Sequence, residues 1–363
     1  MADAGVRAER EMSPAEWLAA IRKKYGLVGN LAVSDDWLED FLGRLPESER
    51  KAAREIWVAR RSTLASEVHD KMMEEYLKQV LPVLRQDEKR LATTTFFGVL
   101  PTYQFNAYAG KTPRGDQIVI LHHELAYTLS YWSHWYLRMK DERGRAYLNE
   151  DPEKLFEALA YIVAVWHGQR PNSKLPDIYP NTYDSWQLDQ CLVFSAIAFV
   201  IGHELGHILA GHDGYGPHQV QNHEMEFEAD RRGVSVAVRH SLVKSALIRG
   251  DTYHAKFMLF GPLFALAVVS LLSDHDSHTH PSASQRRIRM LAAYEHELRS
   301  SLGDKFDDFL DDVDRDVIAV LERNSELLFN LYSGYRDVIL ELRSVIPTSD
   351  TPWLRAEFAD FWS

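Results

Sequence analysis

Thiol chemistry is almost missing from this chain, which carries one cysteine, Cys191, among 363 residues. A single thiol closes no internal disulfide and builds no cysteine-based zinc site, so a disulfide-stapled secreted domain is excluded. Positive charge is also scarce. Lys and Arg number 41 against 53 Asp and Glu, a formal net charge of −12, whereas a nucleic-acid partner asks for a basic face. No nucleic acid is therefore expected among the partners. Long apolar runs are missing too. The two longest stretches, 192–202 and 257–272 (the second interrupted by Gly261-Pro262), fall short of the ~20 residues that span a bilayer. They read as buried helices, which argues against membrane association. The first residues lack the apolar core of a secretory signal, and the expected location is cytoplasmic. No glycine-rich phosphate loop, no serine nucleophile elbow and no internal repeat is visible.

Apolar and charged residues stand at 45% and 26%, close to the globular average, so a sizeable core is within reach. Residues 1–12 read as a mobile leader. Ser13-Pro14-Ala15-Glu16 is a helix start, with a capping Ser, Pro at the first helical position and Glu three after the cap. A second start at 34–36 and a long amphipathic stretch over 47–90, with Ile56, Leu64, Val68, Met72, Tyr76 and Val80 inward, make 13–91 an N-terminal helical region. Branched and aromatic residues then predict strands at 96–100, 103–108 and 117–122, the last two joined by a hairpin loop at 110–115. Helical patterns follow at 125–139, 152–167, 185–210, 222–248, 261–272, 284–300 and 303–345, with a polar loop at 169–183. The acidic run from Asp307 to Asp316 reads as a solvated helical face, since it lacks the glycine and closing Glu of a calcium loop.

One surplus balances the missing thiols. There are 16 histidines, eleven of them between His203 and His296. Spacing gives two of them a role. His203-Glu204-Leu205-Gly206-His207 reads H-E-x-x-H, and on a helix residues four apart share a face. Both imidazoles then reach one metal ion, with Glu204 beside it as a general base. Nitrogen and oxygen donors suit Zn²⁺, which in catalytic sites takes three protein ligands and acidifies a water. His212 is out of register for a third ligand. In His223-Glu-Met-Glu-Phe-Glu-Ala-Asp230, Glu226 with Asp230 on one face supplies a ligand and a partner for a ligand's ring N–H. By spacing alone, Glu224 with Glu228 serves almost as well.

H-E-L-G-H followed by Glu226-Phe-Glu-Ala-Asp230 resembles the gluzincin zinc peptidases, with wording close to the HtpX and CAAX-prenyl-protease group. The resemblance implies His203, His207 and Glu226 as ligands of one Zn²⁺ per chain, Glu204 as the base and Asp230 behind the ligands. Thr279-His280-Pro281 with Arg286 and Arg287 is similar to the T-H-P…R-I segment of that group. Asn106-Ala107-Tyr108 is similar to its substrate-receiving edge strand. The 18 residues between His207 and Glu226 are closer to thermolysin-type spacing and to the soluble Lit-type phage-exclusion peptidases.

His280 is the candidate donor to an oxyanion, with His278 and His275 behind it. Arg286 or Arg287 is a candidate partner for Asp230. His122-His123-Glu124 lacks a second His at the required spacing, because Tyr127 stands there, and Cys191 reads as a small buried hydrophobe. The expected fold is α+β and predominantly helical. A zincin-like metallopeptidase core with a small sheet (92–300) is flanked by the N-terminal helices and a C-terminal helical region (301–363). The expected function is zinc-dependent endoproteolysis of a protein or peptide substrate laid along the 103–109 or 117–122 strand. The alternative is a peptidase-fold binding or sensor protein with latent proteolysis, in stress or phage defence, and either role leaves room for a regulatory protein partner.

Overall fold

The computed structural model describes residues 11–24, 65–100, 105–140, 183–212, 219–247, 252–272 and 281–330, with isolated helical positions at 47, 50, 51, 54 and 160. The expectations for 1–10, 34–36, Ile56, Leu64, 103–104, 152–159, 161–182, His275, His278, Thr279, His280 and 331–363 lie outside the described residues. Within them the chain is α+β and mostly helical, with one small mixed sheet. The helices are α1 (Pro14–Lys24), α2 (Ala65–Val80), α3 (Gln86–Thr94), α4 (His123–Lys140), α5 (Tyr183–Leu209), α6 (Gln219–Leu247), α7 (Thr252–Leu272), α8 (Ala283–Leu302) and α9 (Phe306–Val313). Residues 317–330 are helical again.

The strands are β1 (Phe96–Leu100), β2 (Ala107–Lys111) and β3 (Gln117–His122), in the order β1-β3-β2. β3 pairs parallel with β1 and antiparallel with β2. Its Ile118, Val119, Ile120 and Leu121 are all buried, the unbroken apolar run of a strand covered on both faces. One cover is α1. Trp17, Leu18 and Ile21 pack on Leu100, Ile118 and Ile120. The capping box predicted for α1 is present, with Ser13 N–H donating to Glu16 at 2.8 Å and Glu16 N–H to Ser13 Oγ at 3.4 Å. Arg22, buried on α1, donates through Nη2 to the Val99 carbonyl at 2.7 Å and to Asp70 on α2 at 2.7 Å, which ties helix, sheet and second helix together.

Because β3 is central, the 117–122 segment offers no free edge for a peptide, which corrects one of the two expected docking strands. Among the described residues the sheet has two edge strands, β1 and β2, and the other expected docking strand falls on β2. It begins at Ala107, later than the expected 103, and runs through Gly110 and Lys111, which pair with Ile118 and Gln117. The hairpin loop is correspondingly tighter. Thr112 N–H donates to the Asp116 carbonyl and Gly115 (φ 96°) N–H to that of Thr112, a turn only glycine enters without strain.

On the other side of the sheet lies the main core, which runs from Met73 to Leu328. α5 packs against α4, α6 and α7. The window Gln187–Leu209 is long and apolar enough to cross a membrane by length and composition, which corrects the expectation drawn from uninterrupted runs. Protein buries 78% of it, as befits a central helix. Cys191 is buried and free, as expected. α7 starts at Thr252, not at Gly261, and carries Pro262 in its interior. Gly261 sits so close to α5 that a Cβ would lie 2.7 Å from Ala196 N. Burial on both sides of this contact outweighs the one hydrogen bond that proline removes. The 47–90 helix is broken by a 3₁₀ turn at Leu81–Val83, where Pro82 supplies no N–H. The 303–345 helix is interrupted at Asp314, which meets Lys256 on α7.

Candidate metal centre

α5 and α6 touch backbone to backbone, and that contact sets the site. A Cβ on Gly202 would lie 2.8 Å from Val236 Cβ and 3.1 Å from Gly233 Cα. One on Gly206 would lie 3.1 Å from Ala229 Cα, and one on Gly233 only 2.7 Å from the Phe199 carbonyl oxygen. Small residues at the crossing let the short side chains beside them meet. His203 and His207, one turn apart on α5, face Glu226 on α6, and all three are buried.

The three donors converge. His203 Nε2 and His207 Nε2 are 3.0 Å apart, and their rings are nearly perpendicular at 85°. Glu226 places Oε1 3.4 Å from His207 Nε2 and Oε2 3.6 Å from His203 Nε2. These three residues form the metal-competent group among the described residues, with ligand atoms within 4.8 Å of one another. A tetrahedral zinc ion with ligands at ~2.0–2.1 Å asks for donor separations of about 3.3 Å, and the observed spacings bracket that value. Glu226 is 1% exposed. The rival pair points elsewhere: the Glu224 side chain is 67% exposed near Arg289, and that of Glu228, 38% exposed, takes Arg232.

A second layer surrounds the group. His203 Nδ1 lies 3.0 Å from Asp230 Oδ1, and Arg286 on α8 donates to both Asp230 oxygens at 2.6 and 2.8 Å. Arg286, not Arg287, is thus the arginine on Asp230; Arg287 stacks over Phe329. Burial opposes charge on Asp230, yet Arg286 and His203 hold its carboxyl well below the usual range. Burial likewise pushes His203 down, but Asp230, Glu226 and Glu204 together carry it above its ordinary value. Asp230 and Arg286 offset each other. The Glu226 carboxylate beside the two imidazoles is of the sign that a buried divalent cation offsets. The donor set and its charge therefore fit such an ion.

Glu204 is buried on the same turn of α5. Burial raises its carboxyl to about 7, His203 and Arg286 work against this, Glu226 adds to it, and the backbone of Ala109 hydrogen-bonds it. That bond brings in β2. His122 N–H donates to the Asn106 carbonyl at 3.0 Å. Antiparallel alternation then turns Tyr108 and Gly110 toward β3, and Ala107, Ala109 and Lys111 outward. The expected substrate strand is placed accordingly: Asn106 is exposed and precedes β2, and Ala107 and Tyr108 are half-buried on it. One contact went unread in the sequence. His212, set aside as a ligand, lies with Nδ1 3.0 Å from His207 Nδ1.

Residues 136–305 match the family model of Peptidase U49. The span holds every residue of the buried group, with Glu204, Asp230 and Arg286. Peptidase U49 similarity agrees with the peptidase reading and with its Lit-type side, and does not reach as far as the gluzincin or HtpX-type resemblance. β2 lies outside the match to Peptidase U49. No curated protein and no solved structure matches the chain.

Proposed function

We propose that the chain is a zinc-dependent endopeptidase acting on a protein or peptide, of the gluzincin type, with His203, His207 and Glu226 as ligands. The observation that carries this is the position of Glu204. It is a buried carboxyl beside the His-His-Glu group, raised to about 7, and it is bonded to the amide of an outward-facing edge-strand residue. Bound zinc supplies a Lewis acid and lowers the pKa of water to near ~7.

The rest falls to the chain's own residues. A peptide pairs with the outward carbonyls of Ala107 and Ala109 and with the main chain of Lys111, which lays it beside Glu204. Glu204 takes a proton from the attacking water and delivers it to the leaving amine. A buried carboxyl tied to the edge strand is held in place for both halves of that transfer. Asp230, held by Arg286, keeps His203 in one tautomer. We assign the oxyanion donor to His280, on the T-H-P resemblance of its segment.

The test compares wild type with Glu204→Gln for bound zinc and for cleavage of a complex protein mixture, read as new N-termini. Zinc in both and cleavage in wild type alone is the expected result, with a rate loss of at least ~100-fold. Wild type without stoichiometric zinc overturns the site. Zinc in both with no cleavage by either protein overturns proteolysis and leaves a metal-bearing binding protein. His280→Ala, with zinc retained and cleavage slowed, tests the oxyanion assignment.

A further inference from the structure

The chain at the end of α5 reads Ile208-Leu209-Ala210-Gly211-His212. Gly211 takes φ +69°, its N–H donates to the Ile208 carbonyl at 3.1 Å, and His212 N–H donates to the His207 carbonyl at 3.0 Å. This paired pattern is a Schellman stop, which folds the second residue past the helix back over the turn it ends. The side chains so juxtaposed are usually apolar. Here they are His212 and His207, with their Nδ1 atoms 3.0 Å apart and ring centroids 5.2 Å apart.

Two imidazole nitrogens at that distance share one proton, so one donates and the other accepts. His207 directs Nε2 at Glu226 and at His203 Nε2. A ring that gives its Nε2 lone pair to a metal ion held among these donors carries its proton on Nδ1. We infer that His212 is a positioning residue for the metal centre: its Nδ1 accepts the Nδ1–H of His207, locks the tautomer that presents Nε2 to the metal, and is itself set by the helix stop at Gly211. The two histidine ligands are then held by unlike means. His203 leans on a carboxylate clamped by Arg286, and His207 on a neutral ring at a chain reversal. The inference rests on reading the buried group as a metal site.

The test measures the zinc dissociation constant by chelator competition in wild type, His212→Ala, His212→Phe and His212→Gln. Phe keeps the ring and removes the acceptor, so it stands in should the alanine variant fail to fold. Gln restores an acceptor. The expected result is a 10- to 100-fold weaker affinity in Ala and Phe, with most of the loss recovered in Gln. A hydrogen-bonded Nδ1 proton on His207 should appear in nitrogen-proton spectra of zinc-loaded wild type and vanish in the Phe variant. Wild-type affinity in the Phe variant, or a loss that Gln does not reverse, overturns the inference and leaves the site standing. Failure of wild type itself to hold zinc overturns the site beneath it.

Discussion

Arg286 clasps both carboxylate oxygens of Asp230, at 2.6 and 2.8 Å, inside the protein. The Asp230 oxygen on the shorter of these bonds also faces His203 Nδ1 at 3.0 Å. One ion pair therefore anchors α8 to α6 and orients a ring on α5. Arg286→Ala leaves a buried carboxylate with its main counter-charge gone, and should cost about 3–5 kcal/mol in denaturant unfolding. Arg286→Lys should rescue little of this, since an ammonium cannot make the two-pronged contact. Asp230→Asn should loosen zinc about 10- to 100-fold, read by chelator competition. Unchanged affinity there would remove Asp230 from the site.

The third ligand separates Glu226 from its neighbours. Glu226→Gln should lose zinc, while Glu228→Gln should keep it and change stability by about 0.5 kcal/mol or less, since its partner Arg232 is a half-exposed neighbour one turn away on α6. Metal content of the two purified variants checks this directly. Retention by Glu226→Gln together with loss by Glu228→Gln would place the ligand face of α6 elsewhere.

Spacing alone left Glu226 and Glu224 nearly equal, because each has a carboxylate four residues on. What separates them is which face of α6 lies on α5. Ala229, Gly233 and Ala237 follow Glu226 at helical intervals, and a stripe of small residues marks a face of close approach. That signal stood in the sequence but carries meaning only once the matching Gly202 and Gly206 on α5 are set against it. H-E-x-x-H was legible because its geometry is local to one helix. The place of β3 in the centre of the sheet was not. Pairing between Phe96–Leu100 and Gln117–His122 joins segments apart in the chain, and strand patterning does not name its partners. The continuation of α7 through Gly261-Pro262 was hidden for a similar reason, since local propensity yields to burial against α5.

Gly233 offers a test of that crossing. Its missing Cβ would lie 2.7 Å from a backbone oxygen of α5, an atom that moves only with the helix. Gly233→Ala should therefore push α5 and α6 apart, at a cost of about 1–3 kcal/mol, and weaken zinc binding although no ligand is changed. Gly115, whose Cβ would meet nothing within 4 Å, supplies the control: Gly115→Ala strains a turn at φ 96° and should leave zinc affinity as it was. Equal zinc affinity in wild type and Gly233→Ala would mean that the helix spacing does not set the site.

Among the described residues three histidines lie buried away from the His-His-Glu group, and burial holds them neutral: His69 at about 3, His122 at about 4 and His240 at about 4. In the unfolded chain each returns to about 6.5. Above that pH neither state binds the proton, and their contribution is constant. As pH falls below 6.5 the unfolded chain takes up protons that the folded chain refuses, so stability falls by up to about 1.4 kcal/mol per pH unit for each histidine. The loss ends only when the folded-state values are reached. Glu204, raised to about 7, works in the opposite direction in metal-free protein, because there the folded state holds the extra proton. The informative quantity is thus a difference. His240 is fully buried, and among the described residues neither of its ring nitrogens has a hydrogen-bond partner. His240→Leu removes two unpaired polar atoms and should stabilise the protein at pH 7.5 by about 1–3 kcal/mol. It should also remove one proton from the pH dependence, so that its advantage over wild type grows as pH is lowered from 6.5 to 5. Denaturant melts of both proteins across that range measure the growth. A constant advantage would mean that His240 takes up its proton as readily in the folded chain as in the unfolded one.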